Sequence, residues 1–206
     1  QAEIDKRDAG KNVWTSVVTR PLPISAISKT VTPSVLQGLI EKNLVCCHMP
    51  DESGTIYSMN CLFLKSNVVL VPGHYFDDMG GDMQCSFFKK NALSSGGKFA
   101  ARLELASSYR IPGTDLAMCY CPNGGSFRDL TKHFPLDTIS GDVNMHITYR
   151  HALEDVSKAK GNGTTELVTI DNRYTYNAIR YFMAVDTFPG LCGAVAHSES
   201  VGSVIL

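Results

Sequence analysis

"SMNCLFLKSNVVLVPGHYF", from Ser58 to Phe76, carries the pattern that decides the fold. Cys61–Leu64 and Val68–Val71 are short apolar runs joined by the polar turn Lys65-Ser66-Asn67. The second run is continuously apolar and too short for a helix, so it reads as a buried strand. His74 follows as the chain leaves that strand, where a side chain can face a cleft. Similar runs lie on both sides: "LVCCHM" from Leu44, "MQCSFF" from Met83, "KFAARLEL" from Lys98 and "LAMCYC" from Leu116. Turn residues separate them, Asp51-Glu52-Ser53-Gly54 and Gly80-Gly81-Asp82 among them. Many short β-type runs without helices between them predict an all-β sandwich or barrel.

A second series begins near residue 143, with "VNMHITYR", "ELVTID", "YTYNAIRYFMAV", "GAVAHS" and "GSVIL". Between the two series lies "PNGGSFRDLTKHFPLDTISGD", rich in turn residues and suited to a connection. Ahead of the first series, Thr32 reads as an N-cap with Pro33 at the first helical position. Val35, Leu36, Leu39 and Ile40 follow at helical spacing, which predicts a short amphipathic helix over 33–42. Residues 1–31 mix charges, prolines and small apolar patches and read as an arm. No internal repeat or low-complexity tract interrupts the pattern.

Bulk properties exclude some classes. The formal net charge is -1 over 206 residues, so any affinity for nucleic acid or anionic membrane must come from a local patch. No apolar run approaches the roughly 20 residues of a membrane-spanning helix. Seven cysteines, an odd number without C-x-x-C pairs, argue against a disulfide framework and fit a reducing compartment, so the chain is expected in the cytoplasm.

One of those cysteines has a distinctive setting. Cys192 lies in "DTFPGLCGAV", between Gly190-Leu191 and Gly193. Flanking glycines permit a tight turn that exposes the sulfur and aims the N–H groups of Gly190 and Cys192 at one spot, as an oxyanion hole requires. The same motif also suits a small buried side chain beside a turn. A nucleophilic thiol needs a base, and His74 at its strand end has the best context; the other five histidines lie within strands or polar segments. A carboxylate must then orient the imidazole. Asp115 in "IPGTDLAMCY" stands where a turn becomes an apolar strand, with Glu104 and the Asp77-Asp78 pair as weaker rivals.

The order His74, Asp115, Cys192, each at a β landmark, resembles the 3C and 3C-like cysteine proteases of picornavirus-like RNA viruses. "TDLAM" resembles their acid segment, "GLCG" their nucleophile motif, and "SFRDL" (Ser126–Leu130) the F-R-D linker segment with which some picornavirus enzymes bind RNA. The resemblance covers roughly residues 32–206. It implies two chymotrypsin-like antiparallel β-barrels of six strands each, with the site in the cleft between them. The expected layout is an arm and helix over 1–43, a first barrel over 44–122 with His74 and Asp115, a linker over 123–142, and a second barrel over 143–206 with Cys192.

It also implies a catalytic triad of Cys192 (nucleophile), His74 (base) and Asp115 (orienting acid), with the Gly190 and Cys192 N–H groups as the oxyanion hole. The substrate would be a viral polyprotein in the host cell cytoplasm, cut after Gln and before a small residue. Thr187, five residues before the cysteine, matches the family's selector of Gln. The histidine that accompanies it, in a G-x-H segment, is missing, and His197 comes too early to replace it. The second barrel is therefore expected to be truncated at its C-terminus.

Two other readings remain. An RNA-binding module would use Phe127, Arg128 and Lys132. Residues 122–160 nevertheless balance Arg128, Lys132, Arg150, Lys158 and Lys160 against Asp129, Asp137, Asp142, Glu154 and Asp155, which leaves no basic stripe. A zinc site would draw on Cys119-x-Cys121 or Cys46-Cys47-His48, but cysteines two apart on one strand face more often pack as small hydrophobes. No cofactor or metal is expected.

Overall fold

The computed structural model describes residues 31–89, 97–135, 142–151, 156–170, 174–183 and 186–198. The arm up to residue 30 and "GSVIL" lie outside them. Helix α1 (Pro33–Asn43) starts after an extended Thr32 and has Pro33 in its first turn. It buries Leu36 and Ile40 against the first sheet. Its C-terminal carbonyls would be orphaned by burial. Arg150 meets two backbone oxygens there, with Nε donating to Leu44 O at 2.8 Å and Nη2 donating to Glu41 O at 3.1 Å.

Seven strands form the first sheet: β1 (Leu44–Pro50), β2 (Ile56–Lys65), β3 (Val68–Pro72), β4 (Met83–Phe88), β5 (Lys98–Leu103), β6 (Ser108–Ile111) and β7 (Leu116–Tyr120). Their spatial order is β5-β4-β1-β2-β3-β7-β6, with each neighbouring pair antiparallel. Alternation explains the side chains. Met59, Cys61 and Phe63 of β2 and Val69 and Val71 of β3 enter the barrel core, while Leu62, Leu64, Val68 and Leu70 face a second cluster under α1. Both faces of this hairpin are covered, which is why the two runs read as continuously apolar. Cys119 and Cys121 share the inner face with Cys47, Cys61 and Cys85.

The second sheet contains β8 (Asp142–Arg150), β9 (Val156–Ile170), β10 (Tyr174–Met183) and β11 (Val195–Ser198), ordered β10-β9-β8-β11. Among the described residues it has four strands, and Met145, Ile147, Tyr149, Ala159 and Leu191 form its core.

Three details differ from expectation. The first sheet has seven strands rather than six, because Ser108–Ile111 pairs with β7 as a short, largely exposed edge that lacks the apolar alternation of the others. Strand β9 begins ten residues before "ELVTID" and runs through Gly161, Asn162 and Gly163, held between β8 and β10. The runs are not entirely free of helices between them: His74 opens a single-turn helix, α2 (His74–Asp78), which drives Phe76 into the barrel core.

Candidate active site

His74 and Asp115 sit on adjacent strand ends, because Pro72 of β3 pairs with Leu116 of β7. The Gly73 N–H donates to the Asp115 carbonyl at 2.9 Å, and the His74 N–H donates to Asp115 Oδ1 at 2.8 Å. The imidazole Nδ1 hydrogen-bonds to the other carboxylate oxygen, Oδ2. One carboxylate therefore fixes both the backbone and the ring of His74. The rivals are placed elsewhere. Asp77 receives both terminal nitrogens of Arg110, at 2.7 and 3.1 Å, and Glu104 stands exposed ahead of a 3-10 turn at Leu105–Ser107.

Cys192 brings its sulfur to 3.8 Å from His74 Nε2. The three side chains thus form a line from carboxylate to imidazole to thiol. Asp115 hydrogen bonding, then Cys192 hydrogen bonding, raises the His74 pKa from 6.5 to about 10, against an opposing effect of burial. The Tyr75 ring packs beside the imidazole with centroids 4.5 Å apart. Burial, followed by the nearby Cys192, pushes the Tyr75 phenol well above its ordinary range.

The nucleophile loop is shaped by its glycines. Gly190 has φ +96 and Gly193 φ +79, both in the left-handed region. A Cβ on Gly193 would lie 1.9 Å from the Asn60 carbonyl oxygen, so only glycine fits there. The Leu191 N–H donates to Phe188 O at 3.2 Å, and the Ala194 N–H donates to Leu191 O at 3.0 Å. The N–H groups of Gly190 and Cys192 bond to no acceptor among the described residues. Thr187 is exposed on the same loop, while Phe188 packs on Tyr149 and His151.

Phe127 lies away from this cleft. Ser66 N–H donates to Phe127 O, and Leu130 N–H to Leu64 O, at the opposite end of β3 from His74. Phe127 is only 8% exposed and stacks on Phe63 with centroids 3.9 Å apart. Lys89 Nζ sits 4.0 Å from its ring centroid. With Phe63 on its ring and the residue buried, Phe127 is a core anchor rather than a stacking platform for a base. Arg128 and Lys132 are exposed.

The zinc candidates are scattered or sealed. Cys46 and Cys47, consecutive on β1, point to opposite faces, and Cys119 and Cys121 face the barrel core. Burial pushes Cys121 up to about 11 and Cys119 up to about 12, so both remain protonated thiols within the core. Cys192 alone among the seven cysteines is not fully buried.

One participant escaped the sequence reading. Asn60 on β2 is completely buried and bonds to the nucleophile loop. Its signal was a lone polar residue inside the buried run "MNCLFL".

Solved structures that share this architecture include proteases. The active form of the Rv3671c protease from M. tuberculosis superposes with a TM-score of 0.57 at 10% identity, covering 91% of this chain and 81% of its own. The MamO protease domain from Magnetospirillum magneticum gives 0.55 at 12% identity over 82% and 92%. Tobacco etch virus protease complexed with product gives 0.52 at 15% identity over 94% and 72%. No protein-family profile matches the chain, and no curated protein sequence matches it. The chain has the chymotrypsin-like protease fold.

Proposed function

We propose that this protein is a cysteine endopeptidase of the 3C-like kind, cutting a viral polyprotein after Gln. The observation that carries the reading is the placement of His74, with Asp115 on Nδ1 and Cys192 Sγ 3.8 Å from Nε2. The Cys192 proton passes to His74 Nε2, and the thiolate sulfur attacks the scissile carbonyl carbon. The developing oxyanion is received by the Gly190 and Cys192 N–H groups. The C–N bond then breaks, and Nε2 gives its proton to the departing amine. Water gives a proton to Nε2 as its oxygen attacks the resulting thioester; the C–S bond breaks, the acid product leaves, and the Cys192 sulfur takes the proton back from Nε2. Asp115 keeps the ring oriented throughout and stabilises the imidazolium.

The Thr187 hydroxyl, exposed on the nucleophile loop, is suited to hydrogen-bond a side-chain amide and so to favour Gln. None of the seven cysteines forms a disulfide, which suits the reducing cytoplasm of a host cell. The test is a panel of peptides varying the residue before the scissile bond. Gln peptides are expected to be cleaved best, Thr187→Val to narrow that preference about tenfold, and Cys192→Ala to abolish cleavage. Undiminished cleavage by Cys192→Ala would overturn the mechanism, and indifference to Gln would remove only the specificity.

A further inference from the structure

We propose that Asn60 is the positioning residue of the oxyanion loop. It acts through the Gly190–Gly193 backbone and touches no reacting atom. This inference rests on the endopeptidase reading.

Asn60 lies in the middle of β2, in the sheet that carries His74, yet its bonds run to the opposite half of the molecule. Its backbone N–H donates to Cys192 O at 2.7 Å. Its side-chain Nδ2 donates to Gly190 O at 2.8 Å and to Arg150 O at 3.3 Å, and Oδ1 accepts the Arg150 N–H at 2.7 Å. Its own carbonyl abuts Gly193 closely enough to forbid any Cβ there. Three of the four residues from Gly190 to Gly193 thus meet this one residue.

Peptide planarity turns those contacts into an orientation. A trans peptide points its C=O and the next N–H in opposite directions. Leu191 O, held by the Ala194 N–H, therefore directs the Cys192 N–H away from the body of the turn. Gly190 is the weaker point, because at φ +96 glycine can rotate its preceding N–H at little steric cost. Asn60 Nδ2 holds the Gly190 carbonyl, and the Leu191 N–H bond to Phe188 O holds the other side of that peptide. Release of the Gly190 carbonyl frees the loop to turn one oxyanion donor out of place.

The position is also poorly explained by packing alone. A buried amide costs stability unless it is bonded, and an apolar side chain would fill a strand interior more simply.

The test separates steps that form an oxyanion from one that does not. In Asn60→Ala, kcat for a cleavable peptide is expected to fall about 10²-fold with KM within about threefold, as for loss of an oxyanion donor. Binding of a peptide aldehyde, whose carbonyl takes up the Cys192 sulfur as a hemithioacetal, should weaken by a similar factor. Alkylation of Cys192 by iodoacetamide, in which the thiolate displaces iodide and no oxyanion forms, should change less than threefold.

Asn60→Asp supplies the second variant, in case alanine prevents folding. It keeps the volume and the acceptor for the Arg150 N–H, and it can donate to Gly190 O only when protonated. Its kcat relative to wild type should therefore fall as pH rises, while alkylation follows wild type. Wild-type kcat in the variants overturns this inference alone, and so does a parallel loss of cleavage and alkylation. Wild-type protein that neither cleaves peptides nor alkylates at Cys192 overturns the endopeptidase reading and this inference together.

Discussion

In the proposed mechanism His74 is the residue on which the chemistry turns, and Asp115 governs its proton. The carboxylate, with the Cys192 sulfur, lifts the imidazole from 6.5 to about 10, so the imidazolium formed when His74 takes the Cys192 proton is held well above neutrality. An imidazolium can protonate a leaving amine, so cleavage should fall only as pH rises towards 10. Asp115→Asn removes the main cause of the lift. The falling limb of the pH–rate profile should move down by more than one pH unit, and kcat at neutral pH should drop at least about tenfold. The sign for stability follows from the same shift. A group whose folded pKa is raised contributes fully below its unfolded value of 6.5, and that contribution is lost as pH rises through about 10. The melting temperature of Asp115→Asn should therefore lie below wild type at pH 6 and converge with it above pH 10. An unchanged profile would mean that the ring is oriented by backbone contacts alone.

At the scale of elements, the β2–β3 hairpin does the most work, since it carries Asn60 at its centre and leads into His74. Its two-residue turn places Ser66 at φ +45, a conformation that a side chain disfavours. Glycine is the preferred residue at the first central position of such hairpin turns. Ser66→Gly is expected to raise stability by about 0.5–1 kcal/mol in denaturant titration, with cleavage unchanged because the turn lies at the far end of β3 from His74. The hairpin also shows what periodicity can and cannot reveal. Runs that were apolar on both faces, such as Val68–Val71, announced themselves because both faces are buried. The edge strand Ser108–Ile111 was silent because solvent takes most of its surface, and pairing with β7 decides its conformation. The start of β9 was hidden likewise, with Gly161 and Gly163 reading as turn residues while ladders on both sides hold them extended. The convergence of His74, Asp115 and Cys192 was legible from turn chemistry and from their order along the chain. Asn60 was not, because the residues it serves are 90 or more positions away.

Over the whole molecule, the site exists only where the two sheets meet, so the contacts that dock them set its geometry. Helix α1 contributes to this docking from the first sheet's outer face, where Leu36 and Ile40 join Leu62, Leu64, Leu130 and Val195 in one cluster. Polar contacts add direction. The fully buried Thr148 hydroxyl of β8 donates to Gln37 Oε1 of α1 at 3.1 Å and lies 3.2 Å from His197 Nε2 of β11. One hydroxyl thus spans a helix and two strands, two residues along β8 from the Arg150 that bonds to Asn60. Thr148→Val keeps the shape of the side chain and removes only that polar link. Leaving buried polar partners short of a bond costs about 1–3 kcal/mol. For a chain of this size, each kcal/mol corresponds to roughly 2–4 °C of melting temperature. The variant should therefore melt several degrees lower, yet cleave peptides within about threefold of wild type well below its transition. Cleavage that fell in step with Asn60→Ala at such temperatures would mean that α1 and the nucleophile loop move as one unit. Separation of the two effects would locate sheet docking in the Thr148 contacts and active-site geometry in those of Asn60.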